Sequence, residues 1–296
     1  MTKSVVMWAG EPAWLTKKRQ LAQVIQGRLP KFSGQERWLP WQIKTGGYQE
    51  NWLVHQGRDF MAAPLTQAVD NYSAFLQENL MEKGISWHDN QLFAAHLANM
   101  DGGQFIYVPS NRQVVVPITF APRGMMTNPQ NIIIVGANSE VTLVEKMVVK
   151  SAQPLFADTE ILVGANARVH FKQNNQLRAP VIFQGLSLYQ ARGASVRTDQ
   201  TMENDGDVTI KLSNFLDGDA SQWTARAMLN PHKYGRYHFL PQVDGFGKGS
   251  QASLTTYLDQ DEGGTVLAEP FKPTSGEPLM TNERVITPQD SDWPGV

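Results

Sequence analysis

Cysteine is absent from the 296 residues. That excludes a disulfide framework, a cysteine nucleophile and any thiolate metal site built by this chain alone. No apolar run approaches the roughly 18 residues that span a bilayer. The N-terminus, MTKSVVMWAGEPAW, lacks the apolar core of about 7–15 residues that a signal peptide carries. The expected compartment is the cytoplasm. A surplus of either charge is missing too: 26 Lys and Arg stand against 28 Asp and Glu, for a net charge of −2 and a pI near 6.3. With no basic run and no acidic tail, the chain has no electrostatic footprint for nucleic acid. What is present, 41% hydrophobic and 18% charged residues, describes a globular chain with a sizeable core.

One phrase occurs twice. IIIVGANSEVTLVE begins at Ile132 and EILVGANARVHFKQ at Glu160. At an offset of 28, Val135, Gly136, Ala137 and Asn138 match Val163, Gly164, Ala165 and Asn166, while Val141 matches Val169 and Leu143 is answered by Phe171. A repeat of this period suits stacked copies of one supersecondary unit. Each copy reads as strand, tight turn, strand, with Gly or Asn available for a positive φ in the turn. After the turn, Val141, Leu143, Val169 and Phe171 face one way, and Thr142 and His170 the other. A β-sandwich with two similar hairpins is the competing reading of the period alone.

The first third of the chain is helical in pattern. A helix is expected from Glu11–Pro12 to about Gln26, with Trp14, Leu21, Val24 and Ile25 inward and Lys17, Lys18 and Arg19 on a solvated face. Irregular chain rich in Trp (Trp38, Trp41, Trp52) follows between Lys31 and Gly57, more suited to plugging a small core than to binding a ligand. A second helix is expected from Pro64 to about Lys83, closed by Gly84, and a third after Ser86 as N-cap, ending near Asp101-Gly102-Gly103. Beyond Gly103 the chain turns β-rich. QFIYVPSNRQVVVPITF gives two strands around Pro109-Ser110-Asn111, and after the repeats weaker echoes follow turns at Gly193, Gly206, Gly218 and Gly249 at irregular spacing. The division expected is residues 1–102 helical, 103–262 β, and 263–296 an extended tail or final strand.

Motifs for chemistry are few. His55, His88, His96, His170, His232 and His238 form no HExxH pattern. His232 and His238 bracket PHKYGRYH and are weak candidate metal ligands, with a plain surface connection as the favoured reading. Asp205-Gly206-Asp207 and Asp217-Gly218-Asp219 could hold a cation or work as paired carboxylates on a glycan. Asp-Gly is also common turn chemistry, and the turn reading is preferred. The GKGS ending at Ser250 lacks the order of a phosphate loop, since Gln242 stands where the leading Gly belongs, and GxSxG is absent.

Four segments together resemble the SufB/SufD family of iron–sulfur cluster assembly proteins, on its SufD side. They are EPAWLTKKRQLAQVIQGRLP with ERWLPW after it, HLANMDGGQFIYVPSNRQVVVPITF, NPQNIIIVGANSEVTLVEK and ADTEILVGANARVHFKQNNQ. The likeness runs from about Glu11 to Leu216. It implies a mainly β protein, a right-handed parallel β-helix (β-solenoid) preceded by a small helical N-terminal domain. It also implies a non-catalytic scaffold that pairs with a SufB-like protein and a SufC-like ATPase. By the same resemblance no cofactor is expected on this chain alone. An iron–sulfur cluster would be met only in the complex, with thiolates supplied from elsewhere.

Family members are usually longer, with a C-terminal helical segment that docks the ATPase and a late His or Cys tied to cluster building. Neither falls within this sequence, whose last histidine is His238. The chain is therefore expected to be either a piece of a longer protein or a short, diverged relative, and no functional residue of the family is carried over. Edge pairing of two solenoids, homodimeric or with a SufB-like partner, is expected through residues 220–258, with Thr256→Pro as its probe. The other class of function is a β-solenoid polysaccharide hydrolase or lyase, which would need two or more carboxylates facing one cleft.

Overall fold

The computed structural model describes residues 7–37, 53–121, 127–231, 235–259, 263–271, 273–276 and 279–294. The Trp-rich stretch holding Trp38, Trp41 and Trp52 lies outside them. In chain order the elements are α1 (Ala13–Ile25), β1 (His55–Gln56), β2 (Met61–Pro64), α2 (Leu65–Asn71), α3 (Ser73–Asn79) and α4 (Gln91–Asn99). Then come β3 (Gln104–Val108), β4 (Gln113–Phe120), β5 (Gln130–Val135), β6 (Glu140–Lys150), β7 (Leu155–Val163), β8 (Arg168–Gln190) and β9 (Ser195–Met202). The last are β10 (Asp205–Leu216), β11 (Gln222–Leu229), β12 (Arg236–Gly245), β13 (Gln251–Leu258), β14 (Thr265–Ala268), β15 (Pro273–Gly276) and β16 (Met280–Ile286).

Among the described residues every pairing between two of the strands β3 to β16 is parallel, which removes the sandwich reading and leaves a β-solenoid of about six turns. One face stacks β3, β5, β7, the second half of β8, β10 and β12, with β14 and β15 beyond. The other stacks β4, β6, the first half of β8, β9, β11, β13 and β16. The 28-residue offset seen in the sequence is one coil: Val141 sits against Val169 and Leu143 against Phe171.

One corner fixes the period. Asn111, Asn138, Asn166, Gly193, Ala220 and Gly249 recur every 27 to 29 residues, and all have φ between 56° and 71°. The N–H of each of the first five donates to a carbonyl of the next coil, at 2.8–2.9 Å. Asn138 Nδ2 also donates to Asn111 Oδ1 at 3.0 Å, and Asn166 Nδ2 to Asn138 Oδ1 at 3.2 Å. The glycine two residues before Asn166 is needed for close stacking, because a Cβ on Gly164 would lie 2.7 Å from Ala137 N. The irregular spacing of later turns arises because Gly193, Gly218 and Gly249 serve this corner and Gly206 another.

The two faces differ in how they are covered. On the second, β6 and β9 alternate between core and outward positions, as period-2 strands with one wet side do. On the first, β7 is buried throughout, because its outward side chains lie beneath the helices. Phe156 and Phe183 stack there on successive coils at 4.2 Å between ring centres, and both join the helical core around Leu65, Leu92 and Phe93.

The helices depart from the sequence expectations in instructive ways. Leu15, Arg19 and Ala22 are the buried stripe of α1, while Leu21 and Val24 are half or more exposed. Arg19 is not solvated. It pairs with Glu11 and donates to Ala98 O at 3.1 Å and Met100 O at 3.4 Å, so it satisfies carbonyls left open at the end of α4. The second helix breaks at Tyr72 into α2 and α3. The N-cap of α4 is Asn90, whose side chain accepts from Phe93 N at 3.0 Å, rather than Ser86.

Edge pairing through residues 220–258 is also corrected. β11 lies between β9 and β13, and β13 between β11 and β16. Both strands have their two edges occupied, and Thr256 is 1% exposed. Proline there would break an internal ladder, so it cannot report on a dimer. Among the described residues, β16 pairs only with β13.

Because removing Arg19 leaves the buried Glu11 carboxylate without its counter-charge, held only by Trp8 N and Thr16 Oγ1, and takes the donors from Ala98 O, Arg19→Ala is expected to cost about 3–5 kcal/mol. The exposed Lys17→Ala is expected to stay within about 0.5 kcal/mol. Urea denaturation of the two variants makes the comparison.

Candidate functional site

A groove runs where the helical cap meets the solenoid along β10 and β12. One end is a cleft of about 600 Å³ lined by Phe32, Asp89, Phe93, Lys211, Gln242 and Glu269, among others. The adjoining cleft, about 340 Å³, is lined by Asp207, Arg236 and His238. The two meet where His238 Nε2 stands 3.3 Å from Glu269 Oε1.

Register explains how Lys211 comes to the groove. Asp158, Gly185 and Lys211 are partners on successive strands, so steps of 27 and then 26 residues stack an acid, a gap and a base. Gly185 is required because a Cβ there would lie 1.9 Å from Asp158 Oδ1. That oxygen accepts no hydrogen bond, while Oδ2 accepts from Gln130 Nε2 at 3.0 Å. Burial pushes the Asp158 carboxyl up to about 6. The Lys211 ammonium lies 4.8 Å from the centre of the Phe93 ring. Burial lowers its pKa, and the nearby charges of Asp89, Asp158 and Asp244 oppose that shift. Asp89 is raised, again chiefly by burial.

Behind the groove, buried polar groups fasten the cap to the solenoid. His96 Nε2 meets Gln130 Oε1 at 2.7 Å, and its Nδ1 meets Asn128 Oδ1. Burial holds the ring neutral, with its pKa lowered to about 4, and a neutral ring donates from one nitrogen only. Asp101 accepts from the backbone N–H groups of Thr127, at 2.6 Å, and Asn128, at 3.1 Å, and burial raises it to about 6. Glu160 accepts from Met81 N at 3.0 Å and Gly84 N at 2.8 Å. Its carboxyl is pushed up to about 7 by burial.

Sequence reasoning singled out other residues. His238 lines the smaller cleft with Glu269 as partner, and His232 lies outside the described residues. No group of three or more His, Cys, Asp or Glu is placed to hold a metal among the described residues. The Asp-Gly-Asp carboxylates are ties between coils. Asp207 is held by Arg236 through two contacts of 2.6 Å and Asp205 by Arg178 at 3.3 Å. Asp217 accepts from Tyr189 Oη at 2.5 Å and Asp219 from Lys248 N at 2.7 Å. Lys211, Asp158 and Glu160 were missed. Their signal was a coil offset that sets Asp158 and Glu160 opposite the small residues Gly185 and Ser187.

The architecture defines a class, a parallel β-solenoid under a helical cap. Residues 118–255 match the family model described as SUF system FeS cluster assembly, SufBD core domain, and over that stretch the chain is similar to the SufB/SufD family. It is similar to the iron–sulfur cluster assembly protein SufD of Bacillus subtilis (strain 168), with 27% identity over 201 residues. That alignment takes in 63% of this chain and 45% of the relative, so the chain spans less than half of the relative's length. No described helix is long and apolar enough to cross a membrane.

Glu160 sets a pH dependence. Between the ordinary value near 4.5 and about 7, the folded chain keeps a proton that the unfolded chain releases. This contribution to stability is complete below about 4.5 and is lost as the pH rises to about 7, at a slope of up to about 1.4 kcal/mol per pH unit. His96 acts in the opposite sense, losing stability as the pH falls from 6.5 towards 4. The difference between wild type and Glu160→Gln isolates the carboxyl. Melting curves from pH 5 to 8 should show the wild type losing more stability than the variant as the pH rises. Parallel profiles would refute the assignment.

Proposed function

We propose that this chain is a non-catalytic, SufD-like scaffold subunit of an iron–sulfur cluster assembly complex, pairing with a SufB-like protein and a SufC-like ATPase. The observation that carries the reading is the agreement in extent between the SufBD core match, residues 118–255, and the coils from β4 to β13. The protein works as a platform. With no cysteine, it takes no thiolate share in holding a cluster, which arrives as cargo on ligands from a partner. No cofactor is assigned to this chain by itself.

Pairing between solenoids, with a second copy or a SufB-like protein, falls to β16. Among the described residues it has β13 on one side and no strand on the other, and all of its residues but Ile286 are exposed. A strand with one free edge is suited to adding a partner strand by main-chain hydrogen bonds. The glycan-cleaving alternative loses support because the four Asp-Gly-Asp carboxylates are engaged in coil-to-coil ties and do not converge as an acid–base pair.

Anaerobic pull-down of the tagged chain from its source cell, with partners identified by mass spectrometry, tests the reading. Recovery of both a SufB-like protein and a SufC-like ATPase is expected. Recovery of neither would confine the family relationship to fold.

A further inference from the structure

The overall charge of −2 conceals a segregation. Residues 259–292 hold eight Asp and Glu against two Lys and Arg. The outer surface of the second solenoid face, from β6 to β11, has the opposite character. Lys146 and Lys150 on β6, Arg168 and Lys172 on β8, and Arg226 on β11 are all exposed there, and none has an ion pair or hydrogen bond from its side chain among the described residues.

Acids on the same surface are already engaged, apart from the exposed Glu140 opposite Arg168. Asp199 is held by His170 Nε2 at 2.6 Å and Arg197 Nε at 2.9 Å, which lowers its pKa against the effect of burial. Glu203 accepts from Gln176 at 2.9 Å. Lys172, Asp199 and Arg226 are register partners on three successive strands. Asp199 thus separates two like charges that would repel if adjacent, but its hydrogen bonds go to His170 and Arg197. The ends of Lys172 and Arg226 are left pointing to solvent about two strand spacings, roughly 10 Å, apart.

We infer that this face is a docking surface for an acidic protein segment, a stretch of chain or a flat surface rich in Asp and Glu. Three observations select that occupant. The charge is complementary and unspent among the described residues. The seven strands of the face span on the order of 750 Å² at ordinary strand spacing and rise, close to the roughly 800 Å² that each partner gives to a standard protein interface. The residues between the cations (Thr142, Asn174, Thr224, Ser253) are small and polar, suited to hydrogen bonding across a wet interface. Base stacking would need exposed aromatic rings, and the nearby Tyr257 packs against Trp293 at 6.0 Å. Membrane insertion would need a cluster of bulky apolar anchors, and the exposed apolar side chains of these strands are scattered: Val148 on β6, Val115 and Val116 on one edge strand, and Met280 and Val285 on the other.

The inference is independent of the cluster-assembly reading. Its test is fluorescence anisotropy of the full chain with a labelled deca-glutamate peptide at 50 and 300 mM NaCl. A labelled DNA duplex and phosphatidylserine vesicles serve as competing probes. The peptide should bind in low salt and weaken in high salt. The double variant Lys172→Glu/Arg226→Glu should bind at least tenfold more weakly, with an unchanged melting curve, while Lys17→Glu on the exposed side of α1 should bind as wild type does. Absence of peptide binding, equal loss in Lys17→Glu, or tighter binding of the duplex or the vesicles would overturn the proposal.

Discussion

Everything in this protein hangs on a corner where the backbone must turn with positive φ once per coil. The corner residue's N–H reaches the next coil, so each turn both ends a strand and fixes the register of the strand above. Asn and Gly satisfy this at five of six levels at little steric cost. Ala220 is the exception, an L residue with a Cβ at φ 57°. It is held between a bond from its own N–H to Lys248 O and one from Gly193 to Asp219 O, so neighbouring coils impose the conformation that its side chain disfavours.

The parallel strands were legible because the corner writes its period into the sequence. The phrase Val-Gly-Ala-Asn at 135–138 and 163–166 marks two levels directly. Later levels use Gly193, Ala220 and Gly249, and a turn at Gly206 on another corner falls between them, so the spacing looked irregular although the corner itself recurs every 27 to 29 residues. Helix starts and stops were broadly readable from Pro12, Gly27 and Pro64. Which side faced inward was not. Arg19 reads as solvated because charge normally is, and only the carbonyls at the end of α4, about eighty residues away, make its burial favourable. The groove was hidden for the same reason. Asp158 and Lys211 are 53 positions apart in sequence and meet only when β7, β8 and β10 are stacked. Free strand edges depend on the whole order of stacking, so residues 220–258 looked available until β16 was placed beside them.

Cap and solenoid are joined by unlike means on unlike terms. Apolar contact supplies area, with Phe156 and Phe183 laid under Phe93. Fixed polar groups supply orientation. Glu160 grips the loop before α4, Asp101 grips the strand approach at Thr127 and Asn128, and His96 bridges to Gln130. These groups sit on the face whose strands are buried on both sides. The open face keeps its charges outward and exposed. The same coil therefore presents a packed, nearly neutral surface to one side and a cationic one to the other.

β8 runs 23 residues without a break, forming part of both faces, whereas the same corner in neighbouring coils is interrupted between β6 and β7 and again between β9 and β10. A coil with no gap at that corner cannot release one face while holding the other. Opening that starts at either end of the stack must stop at β8 or take the whole coil with it. The middle of the solenoid thus acts as a kinetic lock, and its amide protons should be the last to exchange with solvent, however loosely the terminal coils breathe.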